Sequence, residues 1–375
     1  MTAKIRIGIL GASGYTGGDL MRLLVNHPNA EIVFLTADRH AGKPVGAVFP
    51  HLLPYNLPDL VSIDDIEWSA VDVDLVFCAL PHGTTQEIVK ALLHRLGHSL
   101  VDEIVAETRE DLISAIPGDV RVVDLSADFR LDDPEVYAEW YGHPHYAKEL
   151  APEAVYGLPE FYRDQIRTTK LVANPGCYPT AVLLGLVPGI QAGQLLTEDI
   201  IIDAKSGVSG AGRGLKENLL FCEVSEGIHP YSVASHRHAP EIEQEVAKAA
   251  GLDDGVFVNF TPHLMPMNRG ELCTCYVKMA DGVTVDDLRH TYIERFRDEP
   301  FVHLTPKDVV PSTRQVRGSN HCFVNIYQDR VPGRAIIVSA LDNLVRGSSG
   351  EAIHNMNLMF NLPETTGLTQ APMFP

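Results

Sequence analysis

Along the first half of the chain, short apolar runs alternate with stretches whose apolar positions recur at helical spacing. Residues 5–10 (IRIGIL) read as a strand, which passes through a glycine-rich turn at 11–18 into the helical pattern of residues 19–25. Residues 30–36 read as a second strand, 73–80 as a buried strand, 86–93 as a helix and 120–125 as another strand. Strands alternating with helices predict a doubly wound, parallel sheet of Rossmann type. From residue 199 the pattern loosens into longer β segments at 199–204, 256–260 and 271–278. Residues 321–327 and 334–340 frame a hairpin around Asp329-Arg330-Val331-Pro332-Gly333. Few helices separate these strands, so this half is expected to be an α+β domain with a mainly antiparallel sheet. Near the C-terminus, Ser348-x-x-Glu351 reads as a capping box before an apolar helix that should pack back on the first sheet. The expected division is a first domain over residues 1–155, completed by 341–375, and a second over 156–340.

Composition narrows the function classes. A chain of 375 residues is long enough for two cores, and its 45% apolar and 21% charged residues are those of an ordinary globular protein. No run approaches the roughly 18 apolar residues of a membrane span. Met1-Thr2-Ala3-Lys4 leads directly into a strand pattern, which points to a cytoplasmic protein. Six scattered cysteines do not form a disulfide framework. A net charge of −19 argues against nucleic acid as a partner and leaves small anions open, since a few local arginines can capture them.

The glycine turn carries the first candidate chemistry. Gly11-Ala12-Ser13-Gly14-Tyr15-Thr16-Gly17 lies between a strand and a helix, where Gly11 permits the tight turn and Gly14 lets backbone approach a pyrophosphate. Gly17 allows close helix packing, and the helix N-terminus favours the phosphate charge. After the second strand the chain offers Thr36-Ala37-Asp38-Arg39: Thr36 and Arg39 suit the 2′-phosphate of NADP, while Asp38 leaves NAD open. The turns Pro81-His82-Gly83-Thr84-Thr85 and Ser126-Ala127-Asp128-Phe129-Arg130 follow later strands, at the sheet edge where such folds bind ligands.

The second candidate is Cys177, in Asn174-Pro175-Gly176-Cys177-Tyr178-Pro179-Thr180. A thiol at the mouth of a helix meets the positive end of the macrodipole and ionises more readily, as a nucleophile requires. Pro179 suits a first helical turn. Residues 205–213, with Ser206, Gly207 and Arg213, form a small-residue loop suited to close approach by a cofactor ring or substrate. His236-Arg237-His238 followed by Glu241 offers an acid–base group, an anion clamp and an orienting carboxylate. A zinc site drawing on Cys273, Cys275, His236 and His238 is the weaker reading, because cysteines two apart in a strand both face the core and no Cys-x-x-Cys is present.

Seven stretches together resemble the N-acetyl-γ-glutamyl-phosphate reductase family of arginine biosynthesis and, more distantly, the aspartate-semialdehyde dehydrogenases. They are GASGYTG (11–17), LPHG (80–83), DLSADFRL (124–131), YGLPE (156–160), NPGCYPT (174–180), HRHAPEI (236–242) and DNLVRG (342–347). The resemblance implies a nucleotide domain, an α+β domain and a homo-oligomer acting on a small molecule. It also implies NADPH-dependent reduction of N-acetyl-γ-glutamyl phosphate to the semialdehyde and phosphate. Cys177 then matches the nucleophile that forms a thioester, and His236 the acid–base group, with His238 as the alternative. Expected cofactor contacts are Gly11, Ser13, Gly14, Tyr15, Thr16, Gly17, Thr36, Arg39, Pro81, Ser206, Gly207 and Asn343. Expected substrate contacts are Arg130, Asn174, Arg213, Arg237, His238 and Glu241, and no metal is expected. Two rivals stand beside this reading. A homologue acting on carrier-linked α-aminoadipyl phosphate would need a basic docking face, and a non-catalytic NADP-binding redox sensor would not need the histidine cluster.

Overall fold

The computed structural model describes residues 4–67, 71–86, 88–90, 120–253 and 255–374. The chain divides into two compact units, Met1–Pro175 with Ser349–Leu368, and Gly176–Ser348 with Thr369–Pro375.

The first unit is built on β1 (Ile5–Leu10), β2 (Ala30–Thr36), β3 (Leu60–Val61), β4 (Leu75–Cys78), β5 (Arg121–Asp124), β6 (Val155–Tyr156) and β7 (Leu171–Ala173). They form one seven-stranded sheet in the order β3-β2-β1-β4-β5-β7-β6, with every pairing parallel. The strands are continuous apolar runs because both faces are covered: Ile7, Ile9 and Leu10 of β1 and all of β4 are fully buried. The strand order reverses between β1 and β4, which sets the ligand edge at their carboxyl ends. The helix expected over 86–93 lies partly outside the described residues.

Two boundaries differ from expectation. The first unit reaches Pro175 rather than residue 155, because β6 and β7 complete the parallel sheet. At the other end only Ser349–Leu368 returns to it; residues 341–348 stay with the second unit, as does the tail, where Met373 N–H donates to Arg317 C=O at 2.8 Å. Ser348 and Glu351 do not form a capping box. A π-helical turn occupies Val345–Ser349, and the α-helix Gly350–Met359 follows without a side-chain cap. The Ser349 hydroxyl instead donates to Asp19 at 2.8 Å.

Gly11 has φ +73°, and a Cβ there would stand 2.3 Å from Ala79 C=O. A Cβ at Gly17 would meet the Ala12 backbone at 2.6 Å, so the helix Tyr15–Leu24 can lie this close only with glycine there. Gly11→Ala is therefore expected to lower stability by about 1–3 kcal/mol from the left-handed conformation alone, read as a fall in Tm. An unchanged Tm would show that the turn relaxes around the methyl group.

The second unit contains β8 (Ile200–Gly207), β9 (His229–Pro230), β10 (Val258–Met265), β11 (Glu271–Lys278), β12 (Val302–Leu304), β13 (Cys322–Gln328) and β14 (Arg334–Leu341). Its sheet runs β12-β13-β14-β11-β8-β10-β9. The pairs β9/β10, β8/β11, β11/β14 and β13/β14 are antiparallel, and β8/β10 and β12/β13 parallel. The sheet is thus mainly antiparallel and includes the expected β13–β14 hairpin. The helix Cys177–Gln191, buried from Tyr178 through Ile190, packs on β11 and β14. β11 alternates strictly, placing Glu271, Cys273, Cys275 and Val277 on its buried face. Cys273 and Cys275 therefore line an apolar layer.

Candidate active site

Gly176 opens the nucleophile helix with an extended backbone (φ −68°, ψ 154°), and Cys177 is its first residue. Pro179, third in the helix, has no N–H to satisfy and a φ already helical. Thr180 closes the turn, its N–H and hydroxyl donating to Gly176 C=O at 3.0 and 2.9 Å. Glu241, buried, accepts from the Gly176 N–H at 2.9 Å. That carboxylate, an expected substrate contact, anchors the residue before the nucleophile.

Cys177 is partly exposed, whereas Cys78, Cys273, Cys275 and Cys322 are buried. Burial pushes the Cys78 and Cys273 thiols well up and that of Cys275 up to about 12, which keeps them protonated and inert. Gly347, in the π-turn, lies directly against the nucleophile: a Cβ there would be 2.6 Å from Cys177 Cβ. Asp342 shapes this segment by accepting from the N–H groups of Gly318 (2.6 Å), Leu344 (2.9 Å) and Val345 (3.1 Å). On the sheet side, the fully buried Glu271 carboxyl lies beside the Cys177 side chain. Burial, above all, raises that carboxyl to about 8.

An aromatic cluster holds the histidines. The Tyr178 ring lies edge-on to His236 and His238, both 5.8 Å between centroids, and His236 packs on Tyr231 and Phe260 at 5.3 Å. The His238 backbone N–H donates to His236 Nδ1 at 3.1 Å. A neutral His236 therefore carries its proton on Nε2. Burial first, and then the Arg237 charge, lower its pKa to about 4, so the ring is neutral at pH 7. Arg213 and Arg237 are exposed on the same unit.

Several expected contacts are committed elsewhere. Asn343 is buried, its oxygen accepting from Gly270 N–H (2.9 Å) and its NH2 donating to the Ser209 hydroxyl (3.0 Å), so it braces two loops. Asn174, also buried, accepts from Asn355 at 3.1 Å and ties the segment after β7 to the C-terminal helix. Arg130 donates from Nε to Asn174 C=O (2.7 Å) and from Nη2 to Leu125 C=O (3.0 Å), clamping the ends of β5 and β7 instead of facing solvent. Thr36, buried, accepts from Gly11 N–H at 3.2 Å, fixing the glycine turn. Ser206 donates to Gly207 C=O at 3.1 Å and both are buried.

The remaining cofactor candidates gather at the ligand edge of the first sheet. Gly14 caps the helix Tyr15–Leu24 without any side-chain bond, leaving the N-terminus to an anion. Ser13, Thr16 and Pro81 are at least partly exposed, as are Tyr15 and Arg39. The Pro81–Thr85 turn is tied to the turn after β5 by Asp128, which accepts from Gly83 N–H (2.9 Å) and Thr85 N–H (3.1 Å). These residues fit a dinucleotide.

The fold and this chemistry define a semialdehyde-dehydrogenase-type oxidoreductase. The family model described as semialdehyde dehydrogenase, NAD binding domain, matches residues 6–109, and the one described as semialdehyde dehydrogenase, dimerisation domain, matches 177–343. Among solved structures, aspartate semialdehyde dehydrogenase II of Vibrio cholerae, complexed with ASA, superposes with a TM-score of 0.68 at 15% identity over 96% of this chain and 99% of that one. An aspartate semialdehyde dehydrogenase with NADP from Candida albicans gives 0.63 at 16% identity, covering 96% and 99%. Sequence relatives narrow the class. The N-acetyl-gamma-glutamyl-phosphate reductase of Afipia carboxidovorans is 54% identical over 99% of both chains, and that of Rhodospirillum rubrum 52% identical over the whole of both. A probable chloroplastic enzyme of the same name from Oryza sativa is 52% identical over 99% of this chain and 83% of its own. The chain belongs to the N-acetyl-gamma-glutamyl-phosphate reductase family.

Proposed function

We propose that this protein reduces N-acetyl-γ-glutamyl phosphate to N-acetylglutamate semialdehyde and phosphate with NADPH, a step of arginine biosynthesis. The observation that carries the reading is Cys177, partly exposed at the first position of a helix, in a chain 54% identical to a reductase of this name over 99% of both. An acyl phosphate is an activated carbonyl, so the Cys177 thiolate can attack it and expel phosphate to leave a thioester. N–H groups in the first turn of the helix offer an oxyanion hole. His236, neutral with its proton on Nε2, donates to the oxyanion that develops at the carbonyl. Arg213 and Arg237 are the cations proposed to hold the substrate's phosphate and carboxylate.

The dinucleotide belongs on the turn Gly11–Gly17 and the N-terminus of the helix that follows, with Ser13, Tyr15, Thr16 and Pro81 alongside. Bound NADPH supplies the hydride that reduces the thioester. Arg39, exposed just beyond β2, is proposed to bind the 2′-phosphate. Arg39→Ala is expected to raise the KM for NADPH about 10-fold or more with little change for NADH, as lost charge-assisted hydrogen bonds require. An equal rise for both cofactors would remove Arg39 from that role. Among the described residues no helix is long and apolar enough to cross a membrane. A cytoplasmic homo-oligomer is the proposed working form, supported by the dimerisation-domain match.

The test is the reverse reaction: NADP reduction with N-acetylglutamate semialdehyde and phosphate, with aspartate semialdehyde as control. Phosphate-dependent turnover of the N-acetylated substrate is expected. Preference for aspartate semialdehyde would overturn the assignment.

A further inference from the structure

Glu271 opens β11 on its buried face, opposite Leu341 of β14 and Ser206 of β8, with no exposed surface. A glutamate rarely takes such a position without a partner. Neither of its carboxyl oxygens has a hydrogen-bond partner among the described residues. The side chain of Cys177 lies beside it, on the helix that packs on this strand. The other ionisable groups that feel it are Asp342, Cys273, Tyr178 and Tyr231, and the nearby cation Arg269 is paired with Asp342 at 3.5 Å.

His236 does not remove the need for a second group. Its Nδ1 already accepts from the His238 N–H, so the neutral ring presents a donor and not a base. A carboxyl beside the sulfur can take the thiol proton in its place.

We propose that Glu271 is the proton-exchange partner of Cys177, an inference that rests on the reaction proposed above. The carboxylate takes the thiol proton as sulfur attacks; the C–S bond forms, and the C–O bond to phosphorus breaks with its electron pair leaving on phosphate, which is protonated from solvent. After hydride transfer the thiohemiacetal oxyanion collapses, the C–S bond breaks with its pair on sulfur, and Glu271 returns the proton to the thiolate. The proton is borrowed and restored within each turnover. Burial sets the carboxyl at about 8, close to the pH at which such exchange is most effective. Because the two groups share one site, their protons leave in two steps that belong to the pair.

The test follows iodoacetamide labelling of Cys177 against pH by peptide mass spectrometry, on the full-length wild type, Glu271→Gln and Glu271→Asp, with reductase rates measured in parallel. The exposed Cys222 serves as internal reference. In wild type, Cys177 labelling should rise in two steps, the first near pH 8. Glu271→Gln, which keeps the volume and removes the titration, should show a single step and lose about 10²-fold in kcat with KM for the acyl phosphate little changed. Glu271→Asp, whose carboxyl sits on a shorter arm, should regain the second step and part of the rate. A wild-type labelling profile and kcat in Glu271→Gln would overturn the proposal and leave Glu271 a packing residue. Should Glu271→Gln not fold, a single-step profile in Glu271→Asp would overturn it equally. Expected labelling profiles with no acyl-phosphate turnover by the wild type would support the Cys177–Glu271 pair and remove the reaction assigned to it.

Discussion

Cys177→Ser is expected to reduce acyl-phosphate turnover on the order of 10⁴-fold or more, as removal of a covalent nucleophile does. The hydroxyl occupies the same helix position, but it ionises far less readily than a thiol, and the oxygen ester it would form accepts hydride poorly. Packing gives the substitution little other consequence: residue 177 is only partly buried, and the turn before it is held by Glu241 and Thr180. The glycine turn proposed for the dinucleotide belongs to the other compact unit. NADPH affinity and Tm should therefore stay near wild type, and steady-state rates beside fluorescence titration of NADPH separate the two effects. A variant that keeps more than about a tenth of the wild-type rate would contradict a covalent route.

His236→Asn is expected to cost about 10²- to 10⁴-fold in kcat, the range of a positioned acid–base group. His238→Asn should cost less, because what His238 contributes to its neighbour is a backbone N–H that asparagine also has. Its ring, 4.7 Å from that of His236, contributes packing. The pH dependence has a definite sign. With His236 held at about 4, below the ordinary 6.5, the folded protein binds fewer protons than the unfolded chain between those values. This residue's contribution to stability is therefore complete above about 6.5 and is lost as pH falls toward 4. In acid, below the limb that Glu271 sets near pH 8, kcat should fall again near the same low value, because protonating Nδ1 breaks the bond from His238 N–H. Measuring rate and chemical denaturation across that range in wild type and His236→Asn checks both statements. An acid limb near 6.5 that persists in the variant would assign it to another group.

The parts of this structure that the sequence made legible are those where local pattern and tertiary environment agree. β1 and β4 read as buried parallel strands because continuous apolar runs have no other stable placement, and Gly11 read as a tight turn because only glycine fits φ +73° against Ala79. Cys177 was visible from its flanking Gly176 and Pro179. The polar braces were not legible as such. Asn174, Asn343, Thr36 and Arg130 have the side chains of binding residues, and their partners lie between 25 and 181 positions away or on backbone carbonyls no pattern encodes. Whether an amide faces a ligand or a carbonyl depends on the fold, and residue type alone does not decide it. The capping box failed for a related reason: a π-turn over Val345–Ser349 takes in Ser348 and moves the helix start to Gly350. Glu271 left a usable trace. It shares the period-2 face of Cys273, Cys275 and Val277, and a carboxylate on the apolar face of a strand is a signal of function.

The most direct measurement of the central claim is mass spectrometry of the protein mixed with N-acetyl-γ-glutamyl phosphate in the absence of NADPH, quenched in acid and digested. The peptide carrying Cys177 is expected to gain the mass of one N-acetylglutamyl group, labile to hydroxylamine, with release of one phosphate per site. Addition of NADPH before the quench should discharge it as the semialdehyde. Acylation at another residue, or aldehyde formation with no acylated Cys177 at any mixing time, would contradict a thioester on this cysteine.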